Sequence, residues 1–371
     1  MGGAARADCE GEQVFVRVRA LLTAAGIGLL ATACAAGPGA GPAPGAPRPS
    51  TEAPGQGGAS CSPAVQIDGF SDALDKTTFA DTYVGNLSGL AVNPDGSIAA
   101  LSDRSSLFTL DAQTHRPIAV VPLADESGKP LDSEGLVIDR DGTLLITSEI
   151  EPSVRRYARD GKLLGSVAVP DSLRVAPAGR ATRNLTLEGL ALQPDGRTLI
   201  ASMEAALAGD QGNLVRFPTW TRDGGTDEFR LGTEYGYPVD PALGVSELTA
   251  TGDGRLLVLE RGFVPAVGNT IRLYLADLAG ATDVRGVRDL TDQPPVRLIH
   301  KTLLADLVNC PSLGATAREQ QANPLLDNIE GMTITGRATD GGLRLLLVSD
   351  DNQNGSQTTR LYTLTAHLPT P

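Results

Sequence analysis

Histidine is nearly missing from this chain: His115, His300 and His367 are the only three in 371 residues. That shortage argues against imidazole-built zinc sites and against a Ser-His-Asp triad. No Gly-x-Ser-x-Gly elbow is present either. Positive charge is also scarce. Thirty-one Lys and Arg face 44 Asp and Glu, a net charge of −13. Such a surface repels phosphate backbones, so nucleic acid is not an expected partner and a cation is a natural one. Aromatics make up only 4%. What remains is 41% apolar residues, enough for a core, with 43 Gly and 25 Pro. This length and composition suit one large β domain.

The apolar run Ala20–Ala33 follows Arg17 and Arg19 and is too short to span a bilayer as an ordinary helix. Basic start, apolar middle and small-residue end read as a secretory signal over residues 1–34. The ending LATAC resembles a bacterial lipobox with Cys34 as the lipidated residue, although Ala31 stands where Leu is commoner. A plain signal peptide cut nearby is the alternative. The acidic residues ahead of Val14 are foreign to a leader, which suggests a true start near Val14 or Val16. Residues 35–60 form a Pro/Gly/Ala/Ser tether that cannot bury a core and reads as a disordered spacer. An exported protein is expected, lipid-anchored on the outer face of the membrane or secreted. Membrane contact would run through the anchor alone. Of the four cysteines, Cys61 and Cys310 fall in the remaining domain, 61–371. They read as one disulfide, or as two buried free thiols.

One phrase recurs along that domain. It appears as LSGLAVNPDGSIAALSD (87–103), SEGLVIDRDGTLLITSE (133–149), LEGLALQPDGRTLIASME (187–204), VSELTATGDGRLLVLE (245–260) and IEGMTITGRATDGGLRLLLVSD (329–350). Each copy reads as strand, Gly-containing turn, strand; the first four turns carry Asp-Gly, a strong hairpin cue. A third β-like run follows each copy, and a fourth is visible after copies one, two and four. Four antiparallel strands repeating at about fifty residues predict an all-β propeller. Five blades are counted. A sixth is possible within 261–329, an interval read instead as the outer strands of blade four plus a helical excursion over 312–328. The segment 62–70, SPAVQIDGF, supplies the missing outer strand of the last blade and closes the ring. That would put Cys61 and Cys310 on neighbouring parts of that blade. A β-sandwich would not explain the matched phrases.

In such a blade the start of the first strand and the end of the second share one face. Glu134 then meets Glu149, Glu188 meets Glu204, Glu247 meets Glu260 and Glu330 meets Asp350, while Ser88 stands beside Asp103. Up to nine acids would ring one mouth of the channel. Carboxylates this crowded need a counter-charge. Arg104 and Arg261 follow two of them directly, and a hard cation suits the remaining oxygen ligands: Ca²⁺ first, then Mg²⁺ or Mn²⁺. The alternative is that the acids brace blade junctions through backbone amides. Asp95, Asp141, Asp195 and Asp253 are turn residues without chemistry. The glycine after most of the first-strand acids fits a bend where a Cβ would crowd the channel.

These phrases, with RNLTLEGLALQPDGRTLIASME, LLVLERGF and IEGM…VSDDNQN, resemble the phytase-like domain described as "esterase-like activity of phytase", over about residues 83–364. The resemblance implies a secreted propeller and a hydrolase of phosphoesters or carboxylic esters. Ser88 matches the family's Ser-Gly in blade one, and Arg183 and Asn184 match its third-blade phrase. On the enzyme reading, Glu134, Glu188, Glu247, Glu330, Asp103, Glu260 and Asp350 are candidate metal ligands. Glu149 or Glu204 would take the proton of an attacking water. Arg104, Arg183 and Arg261 would hold an anionic group, with Ser88 and Asn184 at the substrate. The competing reading is a non-catalytic surface propeller, with a structural cation, that binds glycan, peptide or protein. A monomer acting on a small anionic or ester substrate is expected.

Overall fold

The computed structural model describes residues 59–223 and 228–370. The leader, Cys34 and the tether up to residue 58 lie outside the described residues.

Five four-stranded antiparallel sheets form a five-bladed propeller. From the channel outward, blade one is Leu87–Val92, Ile98–Ser102, Ser106–Leu110 and Pro117–Pro122. Blade two is Ser133–Ile138, Leu144–Ser148, Ser153–Tyr157 and Leu163–Val167. Blade three is Leu187–Leu192, Thr198–Met203, Leu214–Thr221 and Arg230–Pro238. Blade four is Gly244–Ala250, Leu256–Val264, Gly268–Asp277 and His300–Asp306. Blade five is Ile329–Arg337, Leu343–Ser349 and Leu361–Ala366, completed by Val65–Ser71 from the start of the domain. This is the closure expected from SPAVQIDGF. It pairs an N-terminal strand with the last strand of the domain, and the short strand Ala59–Ser60 adds to its outer side.

The strands form because apolar residues face both ways: every blade is sandwiched between two others. The core therefore lies between blades. Leu101, Leu136 and Ile146 pack between blades one and two. Trp220, Phe217 and Leu256 belong to the layer joining blades two to four. Leu259, Leu347 and Leu364 join blades four and five, and Phe108 with Val348 joins five to one. The Asp of each inner turn caps its own hairpin. Asp95, Asp141, Asp195 and Asp253 accept the backbone N–H two residues on, from Ser97, Thr143, Arg197 and Arg255. These are the turn residues without chemistry that the sequence predicts.

The interval 261–329 holds no sixth blade. It contributes blade four's two outer strands and two long loops. The expected helix over 312–328 is absent and that segment is built of turns. Its helix-forming residues lose to tertiary bonds. The Asn323 side chain donates to the carbonyls of Val308 and Cys310, and the buried Arg360 guanidinium donates to those of Thr316, Pro324 and Leu325. Carbonyls held this way are not free to close helical turns. Cys61 and Cys310 form a disulfide. Cys310 follows blade four's outer strand rather than sitting in blade five, so the bond ties the last two blades together.

Candidate functional site

In all five blades the inner strand carries a β-bulge against its neighbour, next to the same residue pair. Leu87 faces Ser102 but Gly89 faces Leu101, leaving Ser88 as the extra residue. Ile329 faces Ser349 and Gly331 faces Val348, leaving Glu330. Val245 faces Glu260 and Glu247 faces Leu259, leaving Ser246. In blades two and three the shift falls across Glu134–Gly135 and Glu188–Gly189. Bulges re-aim side chains. Here they mark the strand starts where Glu134, Glu188 and Glu330 face the upper mouth of the channel. The glycine after each lies against the next blade. A Cβ on Gly135 would sit 2.5 Å from the Glu188 carbonyl oxygen, and one on Gly89 would sit 2.5 Å from that of Glu134. The crowding that demands glycine thus comes from the adjoining inner strand.

The mouth is a bowl of about 790 Å³. Asp103, Asp132, Glu134, Glu149, Glu188, Glu204, Glu330 and Asp350 line it, with Arg104, Arg261, Asn184 and Asn352. Eight carboxylates there face two guanidiniums. Seven of the nine expected acids are therefore brought together. Ligand oxygens of Asp132, Glu134 and Glu149 lie within 4.8 Å of one another, as do those of Glu149, Glu188 and Glu204. Glu149 belongs to both groups.

Glu247 and Glu260 do not reach the bowl, which corrects the expectation that they ligate metal. The phrase VSELT aligns with LSGLA, so Glu247 occupies the glycine position and Ser246 the acid position. Glu247 accepts the amides of Leu190 at 3.2 Å and Leu248 at 2.8 Å. It is a buried staple joining the inner strands of blades three and four. Glu260 pairs with Val245, which makes it the counterpart of Ser102 and Ser349 rather than of Asp103 and Asp350. Its carboxylate accepts from the Tyr237 hydroxyl at 2.7 Å and the Asp240 amide at 2.8 Å and pairs with Lys301 inside blade four. Arg261 is the true blade-four counterpart of Asp103, Glu149, Glu204 and Asp350. It stands 3.2 Å from Glu330 and 3.5 Å from Glu204 and donates to Asn328 Oδ1 at 2.7 Å.

Among the other expected residues, Arg104 is exposed on the rim, 3.5 Å from Asp103. Asn184 lines the bowl. Arg183 is exposed and does not line it, although its charge eases Asp132 downward. Ser88 is buried, its Oγ has no hydrogen-bond partner, and it does not line the bowl. That placement does not suit a substrate contact. Asp132 was missed, though it lies two residues before Glu134 in LDSEGL, and period-two alternation puts both on one face.

Electrostatics follow from the crowding. Burial, reinforced by neighbouring carboxylates, holds Glu134, Glu188 and Asp350 well above the ordinary range. Burial and the nearby Glu204 push Glu149 up to about 8. Burial pushes Asp103 up to about 7 against the pull of Arg104. Among the described residues no donor hydrogen-bonds the carboxylates of Glu134 or Glu188, although both are buried. Carboxylates that face the bowl without donors, clustered as hard oxygens, fit a divalent cation. Glu247 shows the contrast: it too is buried, but amides satisfy it.

A phytase-like family model, described as "Esterase-like activity of phytase", matches residues 82–353. The chain belongs to this family. A relative of the phytase-like chain is an uncharacterized secreted protein of Arthroderma benhamiae, 28% identical over 112 residues. That match covers 24% of this chain and 22% of the relative, so the chain spans about a fifth of the relative's length. Similar solved structures include a gluconolactonase from Xanthomonas campestris, at 15% identity and TM-score 0.41, covering 77% of this chain and 74% of that one. A PQQ-bound aldose sugar dehydrogenase from Streptomyces coelicolor matches at 14% identity and TM-score 0.40, covering 83% and 100%.

Proposed function

We propose that the chain is an exported, metal-dependent hydrolase of phosphoesters or carboxylic esters, working at the acidic bowl. The observation that carries this reading is the pair of carboxylate triads sharing Glu149. Asp132, Glu134, Glu149 and Glu188 would hold one or two hard divalent cations, Ca²⁺ first. Such a cation, when bound, polarises an ester oxygen and acidifies a water. The chain's own residues supply the rest. Glu204, kept close to Arg261 at 3.5 Å, accepts the proton of the attacking water. The water oxygen bonds to phosphorus or the acyl carbon, the bond to the alcohol oxygen breaks, and the held proton passes to the departing alkoxide. Arg104, exposed on the rim and 3.5 Å from Asp103, would bind an anionic oxygen of the substrate. Arg261 is already committed to Glu204, Glu330 and Asn328, so it orients Glu204 rather than binding substrate. Glu330, Asp350 and Asp103 line the opposite wall.

Export is supported by the disulfide, a bond characteristic of oxidising compartments, and by the secreted relative. Attachment through a lipid on Cys34, with residues 35–58 as tether, is the favoured form, and the domain would act as a monomer.

The test is a melt of the intact protein in EDTA and then in Ca²⁺, Mg²⁺ or Mn²⁺, with turnover of a phosphomonoester and a short acyl ester measured in the same samples. A raised melting temperature together with turnover supports the reading. Stabilisation without turnover points to a binding propeller with a structural cation. No effect of chelation on either quantity overturns it.

A further inference from the structure

The bowl is not uniformly acidic. Leu131 directly precedes Asp132 and Ile150 directly follows Glu149 in the chain, and with Leu185 they line the same cavity. Ile150 is 38% exposed and Leu185 is 36% exposed, so these side chains are presented to solvent rather than consumed by the core. Blade four carries further exposed apolar residues, outside the cavity lining. Blade four's second strand runs on past Arg261 to Val264, and the returning strand starts at Gly268. Side chains two apart share a face of a strand, so Phe263 projects on the side of Arg261, about 7 Å further out. Phe263 is 47% exposed and Val264 50%. Isolated exposed apolar residues need no explanation, but a cluster around one cavity does.

We infer that the bowl selects an uncharged or singly charged ester with an apolar substituent, and rejects polyanions. The inference rests on the reading of the bowl as a substrate site and narrows its substrate class. Two observations meet in it. The apolar wall abuts the carboxylate groups proposed to hold the cation, so a scissile group placed there must direct a substituent over Leu131, Ile150 and Leu185. The charge excludes the other class. The lining carries eight carboxylates and two guanidiniums; Arg261 is held by Glu204 and Glu330, and Arg104, 3.5 Å from Asp103, is the lining arginine exposed enough to meet an anion. A substrate bearing several phosphates would find few positive groups there beyond the cation.

The test uses non-hydrolysable probes, so that it does not depend on turnover. Methylphosphonate, hexylphosphonate and inositol hexakisphosphate are titrated into the intact protein in saturating Ca²⁺ by calorimetry. Hexylphosphonate should bind at least about tenfold tighter than methylphosphonate, because its extra methylenes leave water on the apolar wall. Inositol hexakisphosphate should bind more weakly than either, after correction for its chelation of Ca²⁺. The double variant Ile150→Asn, Leu185→Asn should collapse the hexyl-to-methyl ratio towards one. Ile118→Asn with Leu164→Asn, on exposed outer strands of blades one and two, should preserve it. Equal binding of the two alkyl probes, a preference for the hexakisphosphate, a ratio unmoved by the rim variant, or no binding of any probe overturns the inference. Turnover of acetyl and hexanoyl esters in the same preparations reports separately on the hydrolase reading. Chain-length selectivity in binding without turnover of any ester would sink that reading alone.

Discussion

Raising the pH should destabilise the cation-free protein. A carboxyl whose folded-state pKa is raised holds its proton more tightly folded than unfolded. Its contribution to stability is complete below its ordinary value near 4 and is lost as the pH climbs through the folded value. Asp103 at about 7 and Glu149 at about 8 place that loss between roughly pH 5 and 8. Asp132, Glu134, Glu188, Glu204 and Asp350 shift in the same direction through burial. Moving one carboxyl by three pH units corresponds to about 4 kcal/mol, a ceiling that residual solvent in an open bowl reduces. Asp103 and Glu149 together then cost about 4 kcal/mol at pH 8 relative to pH 5, which for a domain of this size is on the order of 10 °C in Tm. Groups shifted the other way barely interfere. Asp240, held at about 2 mainly by Lys301, Tyr274 and Arg272 against its burial, loses its contribution only below the window. His115 is lowered by burial and opposes the trend as a single residue.

The assay is calorimetric melting in EDTA across pH 5–8, repeated in millimolar Ca²⁺. In chelator Tm should fall as the pH rises. With Ca²⁺ the trend should reverse, because protons and the cation compete for the same oxygens. A flat or rising profile in EDTA would refute the idea that the bowl carboxylates repel one another without internal compensation, and the case for a cation site would lose its electrostatic basis.

Three further outcomes separate ligands from braces. Glu134→Gln or Glu188→Gln should remove most of the Ca²⁺-induced rise in Tm, whereas Glu247→Gln should keep it and cost under about 1 kcal/mol, since an amide oxygen still accepts the Leu190 and Leu248 amides; equal loss in all three would place Glu247 in the cation site after all. Arg261→Gln should destabilise the cation-free protein by about 3 kcal/mol, because Glu204 and Glu330 lose their buried partner, and Ca²⁺ should recover much of it. Cys61→Ser should cost about 3–5 kcal/mol by chemical denaturation, since the bond closes a loop with a sequence separation of 249.

The fold was legible because a propeller writes its period into the chain. Asp-Gly turns, alternating strands and the fourth-strand shortage of the last copy led to five blades and to SPAVQIDGF as the closing strand. The failure at 312–328 has a specific cause: Ala315–Gln321 carries good helix formers, but Asn323 and the sequence-remote Arg360 claim carbonyls in and around that segment. Arg360 lies 36 residues beyond Pro324 in the chain and reaches it only through blade five.

The site was legible to within one residue, and that residue matters. Aligning blades on acids put Glu247 and Glu260 in the ring. Aligning them on register puts Ser246 and Arg261 there. The register is set by the bulge, and a bulge is a pairing between strands, which no single segment records. Apolar residues do record it indirectly, since Val245 and Leu248 occupy the places of Leu87 and Leu90 and cannot leave the core. A one-residue slip would have turned them to the channel. The corrected alignment changes the chemistry as well as the count. Blade four contributes a fixed positive charge where its neighbours contribute carboxylates, and Arg261 sits against Glu204 and Glu330. Negative charge is therefore balanced on that side from within the chain. It is left unbalanced over blades two and three, where the two triads converge on Glu149 and the exposed Ile150 begins the apolar wall. An evenly acidic ring would have offered a cation five similar seats. On the proposed reading this ring would offer a preferred one, beside the apolar surface proposed to receive the rest of a substrate.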